Sequence, residues 1–309
     1  MDAQQIAMRD ALLGHNVRMI REILEKDPGA HTFTFDEDLF DNGNFYDIFY
    51  QPLAMVCGGK GIRDDSERYS SKNLRKIFHM LLDAGAQPSP TIYRNSATDD
   101  TNQISTQPLY CCLDQYQNPW MKLKDREYMA NALIHAGADP SIEGCEDWGE
   151  NALDAAVMLV QYENIAMKML NECAPEAISK CINRRSPSLD MMRPLEAAIG
   201  AYCSLHLVRA LVASGADPEL PVKDPIVGGN ILPSCRHLVV HVGCLCDDLH
   251  HIVGLQSILD FLNKRKRRKL TRARWAFLHG VARIMAVHRR AVVTANHPKK
   301  KQKRGEFEV

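Results

Sequence analysis

Long uncharged runs are missing from this chain of 309 residues. The longest, such as residues 197–208, fall well short of the roughly 20 apolar residues that a membrane-spanning helix needs. The ten cysteines are scattered from Cys57 to Cys246, and no apolar leader follows Met1. We therefore predict no membrane span, and we expect an intracellular protein of the nucleus or cytoplasm with reduced thiols.

Signatures of catalysis are also missing. The sequence contains no H-E-x-x-H, no G-x-S-x-G and no regularly spaced carboxylate pair. Gly58-Gly-Lys-Gly61 superficially resembles a phosphate-binding loop, but no Gly-Lys-Ser/Thr follows it and no strand leads directly into it. We therefore expect a protein that is not an enzyme and that carries no cofactor.

A net charge of zero conceals two halves of opposite sign. Residues 261–309 hold 16 of the 38 Lys and Arg residues but only two acidic residues, Glu306 and Glu308. The preceding part keeps 22 basic residues against 36 acidic ones. The chain is thus an acidic body with a basic tail, an asymmetry that affects partners and solubility rather than fold.

Four segments of the body share one pattern. Each places a pair of large apolar residues one turn before a Gly-Ala or Cys-Ala, with proline just after. Glycine readily takes the left-handed conformation that closes a helix, and proline cannot continue one. We therefore predict helix ends in four segments: residues 79–88, 131–140, 209–218 and, more weakly, 168–176.

Each helix end is preceded by a matching helix start. The starts read QPLAMVC at Gln51, QPLYCCL at Gln107, NALDAAV at Asn151 and RPLEAAI at Arg193. Proline in the first turn of a helix loses no hydrogen bond. The combination of x-P-L-x-x-A with a terminal G-A-D-P resembles the ankyrin repeat, strongly over residues 107–218 and weakly elsewhere in residues 3–263.

The resemblance implies an all-α ankyrin-repeat solenoid of about five or six helix-turn-helix repeats with long loops. It also implies a non-catalytic adaptor that binds a partner protein through its concave surface and hairpin tips. Residues 1–263 would form the repeat domain, and residues 264–309 a basic helix and tail. The repeat domain would comprise a capping unit at 3–28 and repeats near 51–88, 107–140, 151–176, 193–218 and 231–263.

The chain departs from the ankyrin pattern at the start of each repeat. There the family has a threonine and a histidine that resemble a hydrogen-bonded pair, and this chain has other residues. Only Asn151 is expected to cap its helix in the same way. The four replacement pairs are Gln51 with Ala54, Gln107 with Tyr110, Asn151 with Asp154, and Arg193 with Glu196. We therefore expect stability to come from stacking rather than from individual repeats.

Residues 31–50 place strand formers around Asn42-Gly43, which predicts an extended hairpin rich in aromatic and acidic side chains. The aromatic residues are expected either to bind a basic, partly apolar peptide or to pack on the first helices. The candidate contact residues, including later hairpin tips, are Phe33, Phe35, Phe40, Phe45, Tyr46, Tyr93, Arg94, Glu143, Asp147 and Trp148.

Cysteine and histidine are concentrated between residues 235 and 251. Zinc prefers such ligands, but the spacing contains no paired C-x2-C, and buried cysteine is common in helices. The residues concerned are Cys235, His237, His241, Cys244, Cys246, His250 and His251. We favour ordinary core and surface positions here and assign no metal site.

The tail contains two cationic runs with a helix-like segment between them. Such runs are typical of nuclear localisation signals or of patches that bind polyanions, so nucleic acid is a candidate partner. Between the runs, helical spacing is followed by Trp275, Leu278, Ala282 and Met285. The predicted helix is expected to cap the last repeat or to dock on a partner or membrane surface. The cationic residues are Lys264, Arg265, Lys266, Arg267, Arg268, Lys269, Lys299, Lys300, Lys301, Lys303 and Arg304. The alternative function is a nuclear or chromatin-associated adaptor whose tail contacts nucleic acid.

Overall fold

The computed structural model divides into two compact units, Met1–Leu259 and Asp260–Val309. The residues that it describes are 2–41, 44–58, 70–90, 103–105, 107–113, 121–145, 150–186, 192–223, 231–244, 251, 253–273 and 276.

Helix pairs make up most of the described chain. The helices are α1 (Ala3–Leu13), α2 (Val17–Lys26), α3 (Pro52–Val56), α4 (Ser71–Asp83), α5 (Pro108–Leu113), α6 (Leu123–His135), α7 (Ala152–Val157), α8 (Glu163–Glu172), α9 (Pro175–Cys181), α10 (Pro194–Gly200), α11 (Leu205–Ala213) and α12 (Cys235–Cys244). Residues 253–273 form a further helix, α13. In the pairs that begin with α3, α5, α7 and α10, the first helix is short, five to seven residues, and the second is longer, whereas α12 has ten residues.

The pairs stack in two parallel rows. The first helices contact one another in the order α1, α3, α5, α7, α10 and α12, and the second helices in the order α2, α4, α6, α8 and α11. Each pair therefore buries its apolar faces against the pairs before and after it, as expected of stacked repeats. The fold is an all-α, ankyrin-like solenoid, and the predicted stack of helix pairs is confirmed.

Three of the predicted helix ends are closed by glycine in the left-handed region. Gly85, Gly137 and Gly215 have φ angles of 98°, 86° and 112°. The amide of the alanine after each glycine donates back to a carbonyl one turn earlier, over 2.9–3.0 Å. This pattern satisfies carbonyls that the helix end would leave unpaired.

The fourth end differs from the prediction in mechanism. Helix α8 does stop at Glu172, but Cys173 has an extended backbone with φ −74° and ψ 157°. The chain then enters α9, a helix that the repeat pattern did not predict. Pro175 occupies the first turn of α9, where its missing amide costs no hydrogen bond.

Strands occur in one finger and in short connections between units. Strands β1 (Phe35–Asp41) and β2 (Asn44–Tyr50) pair antiparallel, with Phe35 opposite Tyr50, which confirms the predicted hairpin. Strand β3 (Gln103–Ser105) adds parallel to β2. Strand β4 (Glu143–Cys145) pairs with β5 (Glu150–Asn151), and β6 (Val222–Lys223) pairs with β7 (Ile231–Leu232).

The core explains the repeated leucine after each helix start. Leu53, Leu109, Leu153 and Leu195 are all 2% exposed or less. The burial of each such side chain contributes about 1.5–3 kcal/mol relative to leaving it in water. Among the described helices, none combines the length and apolar character needed to cross a membrane.

Candidate partner-binding surface

An apolar groove lies on the row of first helices, beside α10. It has a volume of about 390 Å³ and is lined by residues from the end of α7, from the segment before α10, from α10 and its following turn, and from α12. The lining residues are Met158, Met192, Ala197, Gly200, Ala201, Tyr202 and Val242. We call this feature the α10 groove.

Small residues create the space in the α10 groove. Ala197, Gly200 and Ala201 occupy the helix and its C-cap, where larger side chains would fill the groove. A Cβ atom added to Gly200 would meet no atom within 4 Å, so glycine there is not demanded by close packing. The two lining methionines, Met158 and Met192, have flexible and polarisable side chains, which suit contact with apolar groups of varied shape.

Tyr202 lies at a backbone position that normally selects glycine. Its φ angle is 58°, and the same turn between the two helices of a unit holds Gly58 in the first repeat, with φ 122°. A side chain in this region costs about 1–2 kcal/mol. Strain of this kind is concentrated at functional sites, so Tyr202 is a candidate for function on its geometry alone.

The ring of Tyr202 is positioned by His251. The two rings are stacked, with centroids 4.5 Å apart and planes at 20°. Tyr202 is half-buried and is one of the residues that line the groove. Offset stacking of this type stabilises an aromatic pair by about 0.5–1.5 kcal/mol beyond its buried area.

The turn that carries Tyr202 is fixed by contacts to the preceding unit. The backbone amide of Ser204 donates to Glu163 Oε2 over 3.0 Å, and the Ser204 hydroxyl donates to the other carboxylate oxygen. The Cys203 thiol donates to the carbonyl of Val157 over 3.5 Å. Burial raises the pKa of Cys203 to about 12, so this thiol stays protonated and remains a donor.

The start of α10 is held by a buried ion pair. Arg193 Nη1 lies 2.7 Å from Glu196 Oε1, and the Arg193 amide donates to Glu196 Oε2 over 3.1 Å. Arg193 and Arg185 both donate to the carbonyl of Pro221, over 3.1 and 2.6 Å. Burial raises the pKa of Glu196, and the two arginines oppose that shift. The Arg193 side chain therefore ties the start of α10 to Pro221, directly before β6.

Asn151 caps α7, as the sequence predicted. Its side-chain oxygen accepts from the Asp154 amide over 3.0 Å, and Asp154 Oδ2 accepts from the Asn151 amide over 3.3 Å. Asp154 is fully buried, and burial, reinforced by the charge of Glu150, raises its pKa to about 7. Glu150 in turn accepts a 2.8 Å hydrogen bond from Tyr110, which joins β5 to α5 of the preceding unit.

The predicted contact residues of the first finger separate into two groups. Phe35 is 2% exposed and belongs to the core, so it is not part of a contact surface, whereas Phe33 is half-buried. Phe40 pairs with Phe45, and Tyr46 with Leu39, in the register of the two strands. Burial therefore supports the packing alternative at Phe35, and the contact role of the others stays a prediction.

The later contact candidates are only partly described. Glu143 forms an ion pair with Arg184, which joins the β4–β5 connection to the segment after α9. The side chain of Glu143 still exposes 41% of its surface. Tyr93, Arg94, Asp147 and Trp148 lie outside the described residues, as do Lys299, Lys300, Lys301, Lys303 and Arg304 of the second cationic run.

Four members of the cysteine and histidine group are described with their side chains. Cys235 is 1% exposed, and burial raises its pKa to about 12, which disfavours the thiolate that zinc requires. His237 Nδ1 lies 3.0 Å from the Ser234 hydroxyl. Within the described residues no three His, Cys, Asp or Glu side chains form a metal-sized cluster. Cys246 and His250 lie outside them, and Cys244 is described only in its backbone.

The α10 groove was not predicted from the sequence. It depends on three units coming together, and on a stack between residues 49 positions apart, Tyr202 and His251. The available signal was a tyrosine in the turn where the first repeat carries Gly58. That signal becomes readable only when the turns of different units are superimposed.

Comparison with known proteins gives a distant structural likeness. Among 61 similar chains of solved structures is the crystal structure of the human ASB11 ankyrin repeat domain. The two share 14% identity with a TM-score of 0.41, and the alignment covers 75% of each chain. No protein-family model and no curated protein sequence matches this chain. We therefore assign the fold from the stacked helix pairs of this chain itself.

Proposed function

We propose that this protein is a non-catalytic interaction module that binds an apolar segment of another protein in the α10 groove. The observation that carries the proposal is the strained, half-buried Tyr202 in the lining of an apolar groove of about 390 Å³. Tyrosine and methionine are enriched at the centres of protein interfaces, and tyrosine is a frequent anchor there.

The lining of the groove favours binding over catalysis. Its described side chains are methionine, alanine, valine and one tyrosine, with no nucleophile and base in hydrogen-bond reach of each other. Small-molecule sites usually add several convergent polar groups that fix the orientation of the ligand. The Tyr202 hydroxyl is the single polar side-chain group among these lining residues, so apolar contact dominates.

We expect the contact to extend from the groove along the repeats. Ile231, at the start of β7, is 72% exposed and presents an apolar side chain in the connection that follows α11. The candidates Phe33, Phe40, Phe45, Tyr46, Tyr93, Arg94, Glu143, Asp147 and Trp148 remain proposed contacts of the same repeat domain, residues 1–263. Stacked repeats bind by such extended surfaces rather than by single pockets.

A matched pair of substitutions tests the proposal. Ala201 and Ala136 both occupy helix C-caps, with φ of −82° and −76°, but only Ala201 lines the groove. Ala201→Arg should block the groove, whereas Ala136→Arg places the same charge at an exposed site elsewhere. The arginine variants and the original chain would be used for affinity capture from cell extract, followed by measured dissociation constants for each captured protein.

We expect Ala201→Arg to lower the affinity for the principal partner by at least about tenfold. The charged arginine would take up the space in the groove that an apolar side chain of the partner is proposed to fill. Ala136→Arg should leave that affinity unchanged. Equal binding by both variants, with urea unfolding showing that both are folded, would refute a role for the groove.

The nuclear or chromatin-associated alternative concerns a different part of the chain. Its cationic residues lie in the unit Asp260–Val309, whereas the α10 groove lies in Met1–Leu259. A chain ending at Asn263 separates the two functions, since it keeps the groove and lacks both cationic runs. Proteins captured by both chains would belong to the repeats, and those lost on truncation to the tail.

A further inference from the structure

The first cationic run lies on a helix rather than on an irregular tail. Lys264–Lys269 falls within α13, which continues to residue 273. Four exposed cations recur at i, i+3, i+4 and i+8 and therefore share one face of the helix. At 1.5 Å per residue they span about 12 Å. We call these residues the α13 stripe: Lys264, Arg267, Arg268 and Arg272.

The charge of this segment calls for an anionic partner. Residues 260–273 carry seven cations and a single carboxylate, Asp260. Like charges at i,i+3 and i,i+4 oppose helix formation, so the helix carries a repulsion that a polyanion would remove. Three of the four stripe residues are arginines, whose planar guanidinium groups match phosphate oxygens with two parallel hydrogen bonds.

The side chains around the stripe distinguish among polyanions. Helices that lie on membranes need an apolar face rich in Trp, Phe or Leu, but residues 264–273 contain one large apolar side chain, Leu270. Single-stranded nucleic acid is usually held by aromatic stacking, but the one aromatic residue in the described part of α13, Phe261, is half-buried and precedes the stripe. The stripe therefore favours a duplex held through its phosphates.

Groove dimensions favour DNA over RNA as that duplex. The major groove of B-DNA is about 12 Å wide and admits an α-helix, whereas the major groove of A-form RNA is deep and narrow. We propose that the α13 stripe binds double-stranded DNA through its phosphates, independently of base sequence. This proposal does not depend on the function proposed for the α10 groove.

The test uses the full chain and fluorescence anisotropy with two unrelated 20-base-pair DNA duplexes. Four phosphate contacts predict a slope of about −3.6 in a plot of log K against log salt concentration. Affinity should therefore fall about 150-fold between 50 and 200 mM KCl, equally for both duplexes. Salt-independent binding, or a strong preference for one duplex, would contradict the proposal.

Two variants with the same change in charge locate the site. The stripe variant replaces Lys264, Arg267, Arg268 and Arg272 with glutamine, which preserves helix propensity. The control variant replaces four exposed cations of the repeats with glutamine: Arg21, Lys26, Lys72 and Lys76. We expect at least a tenfold loss of affinity and a slope reduced by about 3 to 4 in the stripe variant only. Equal losses in the two variants, or an unaffected stripe variant, would overturn the assignment to α13.

The other polyanions serve as further arms of the same experiment. Single-stranded DNA, duplex RNA and vesicles containing phosphatidylserine would be titrated under identical salt conditions. Duplex DNA should bind most tightly of the four, and tighter binding to any of the others would overturn the proposal. Ala201→Arg should bind duplex DNA normally, so failure of the groove proposal and failure of the stripe proposal give different results.

Discussion

Substitution of Tyr202 separates the cost of its backbone from the contribution of its ring. Tyr202→Gly removes the stack on His251 but relieves a φ angle of 58°. Tyr202→Ala removes the same ring and keeps a Cβ atom in the left-handed region. The difference between the two variants therefore measures the backbone term almost alone.

The expected magnitudes follow from this geometry. Glycine takes the left-handed conformation without the steric cost that a Cβ atom meets, although it gains more freedom in the unfolded chain. We expect Tyr202→Gly to be about 1 kcal/mol more stable than Tyr202→Ala. Loss of the stack costs about 0.5–1.5 kcal/mol, so Tyr202→Gly should lie within about 1 kcal/mol of the original chain.

The adjacent position supplies the control. Ala201 has φ −82° and ψ 4°, a conformation that alanine adopts without strain, so Ala201→Gly should destabilise the protein by about 0.5–1 kcal/mol. Glycine is thus expected to be less stable than alanine at position 201 and more stable than alanine at position 202. Equilibrium urea unfolding at 25 °C gives the free energies, with the slope m checked for constancy. If Tyr202→Ala proved as stable as Tyr202→Gly, backbone strain at Tyr202 would be refuted.

Two further predictions concern buried and helix-closing residues. Because the folded-state pKa of Asp154 is raised to about 7, its proton stabilises the native state fully below about pH 4, and this contribution is lost as pH rises through 7. Between pH 5.5 and 8 the free energy of unfolding, measured with urea, should fall by about 2 kcal/mol more in the original chain than in Asp154→Asn. An equal fall in the two proteins would contradict the raised pKa. Gly215→Ala, at φ 112°, should lower the melting temperature, whereas Gly200→Ala, in a helix with open space around its Cβ, should raise it.

The helix ends and starts could be predicted because their chemistry is local. A proline in the first turn and a glycine with positive φ mark Pro194 and Gly215 without any knowledge of neighbouring units. The Asn151 cap is equally local, since donor and acceptor lie three residues apart. The stacking order then follows from burying the leucine that each unit presents.

The parts that could not be predicted depend on contacts between distant residues. Strand β3 pairs with β2 across more than 50 residues, and nothing in Gln103–Ser105 indicates a partner. Helix α9 follows a repeat whose ending lacks glycine, so no rule of the repeat covers it. The α10 groove belongs to the same class because its lining comes from three units.

The contacts at the two ends of α10 have a consequence for affinity. At its start the helix is held by the ion pair of Arg193 with Glu196, and at its end by the bonds of Ser204 to Glu163. Both groups of contacts are intramolecular, so the small residues between them are already fixed before a partner binds. Ordering of the groove residues therefore costs little free energy on binding. Disruption of either end, for example by Glu163→Gln, should therefore lower the affinity for the partner, although neither Glu163 nor Ser204 lines the groove.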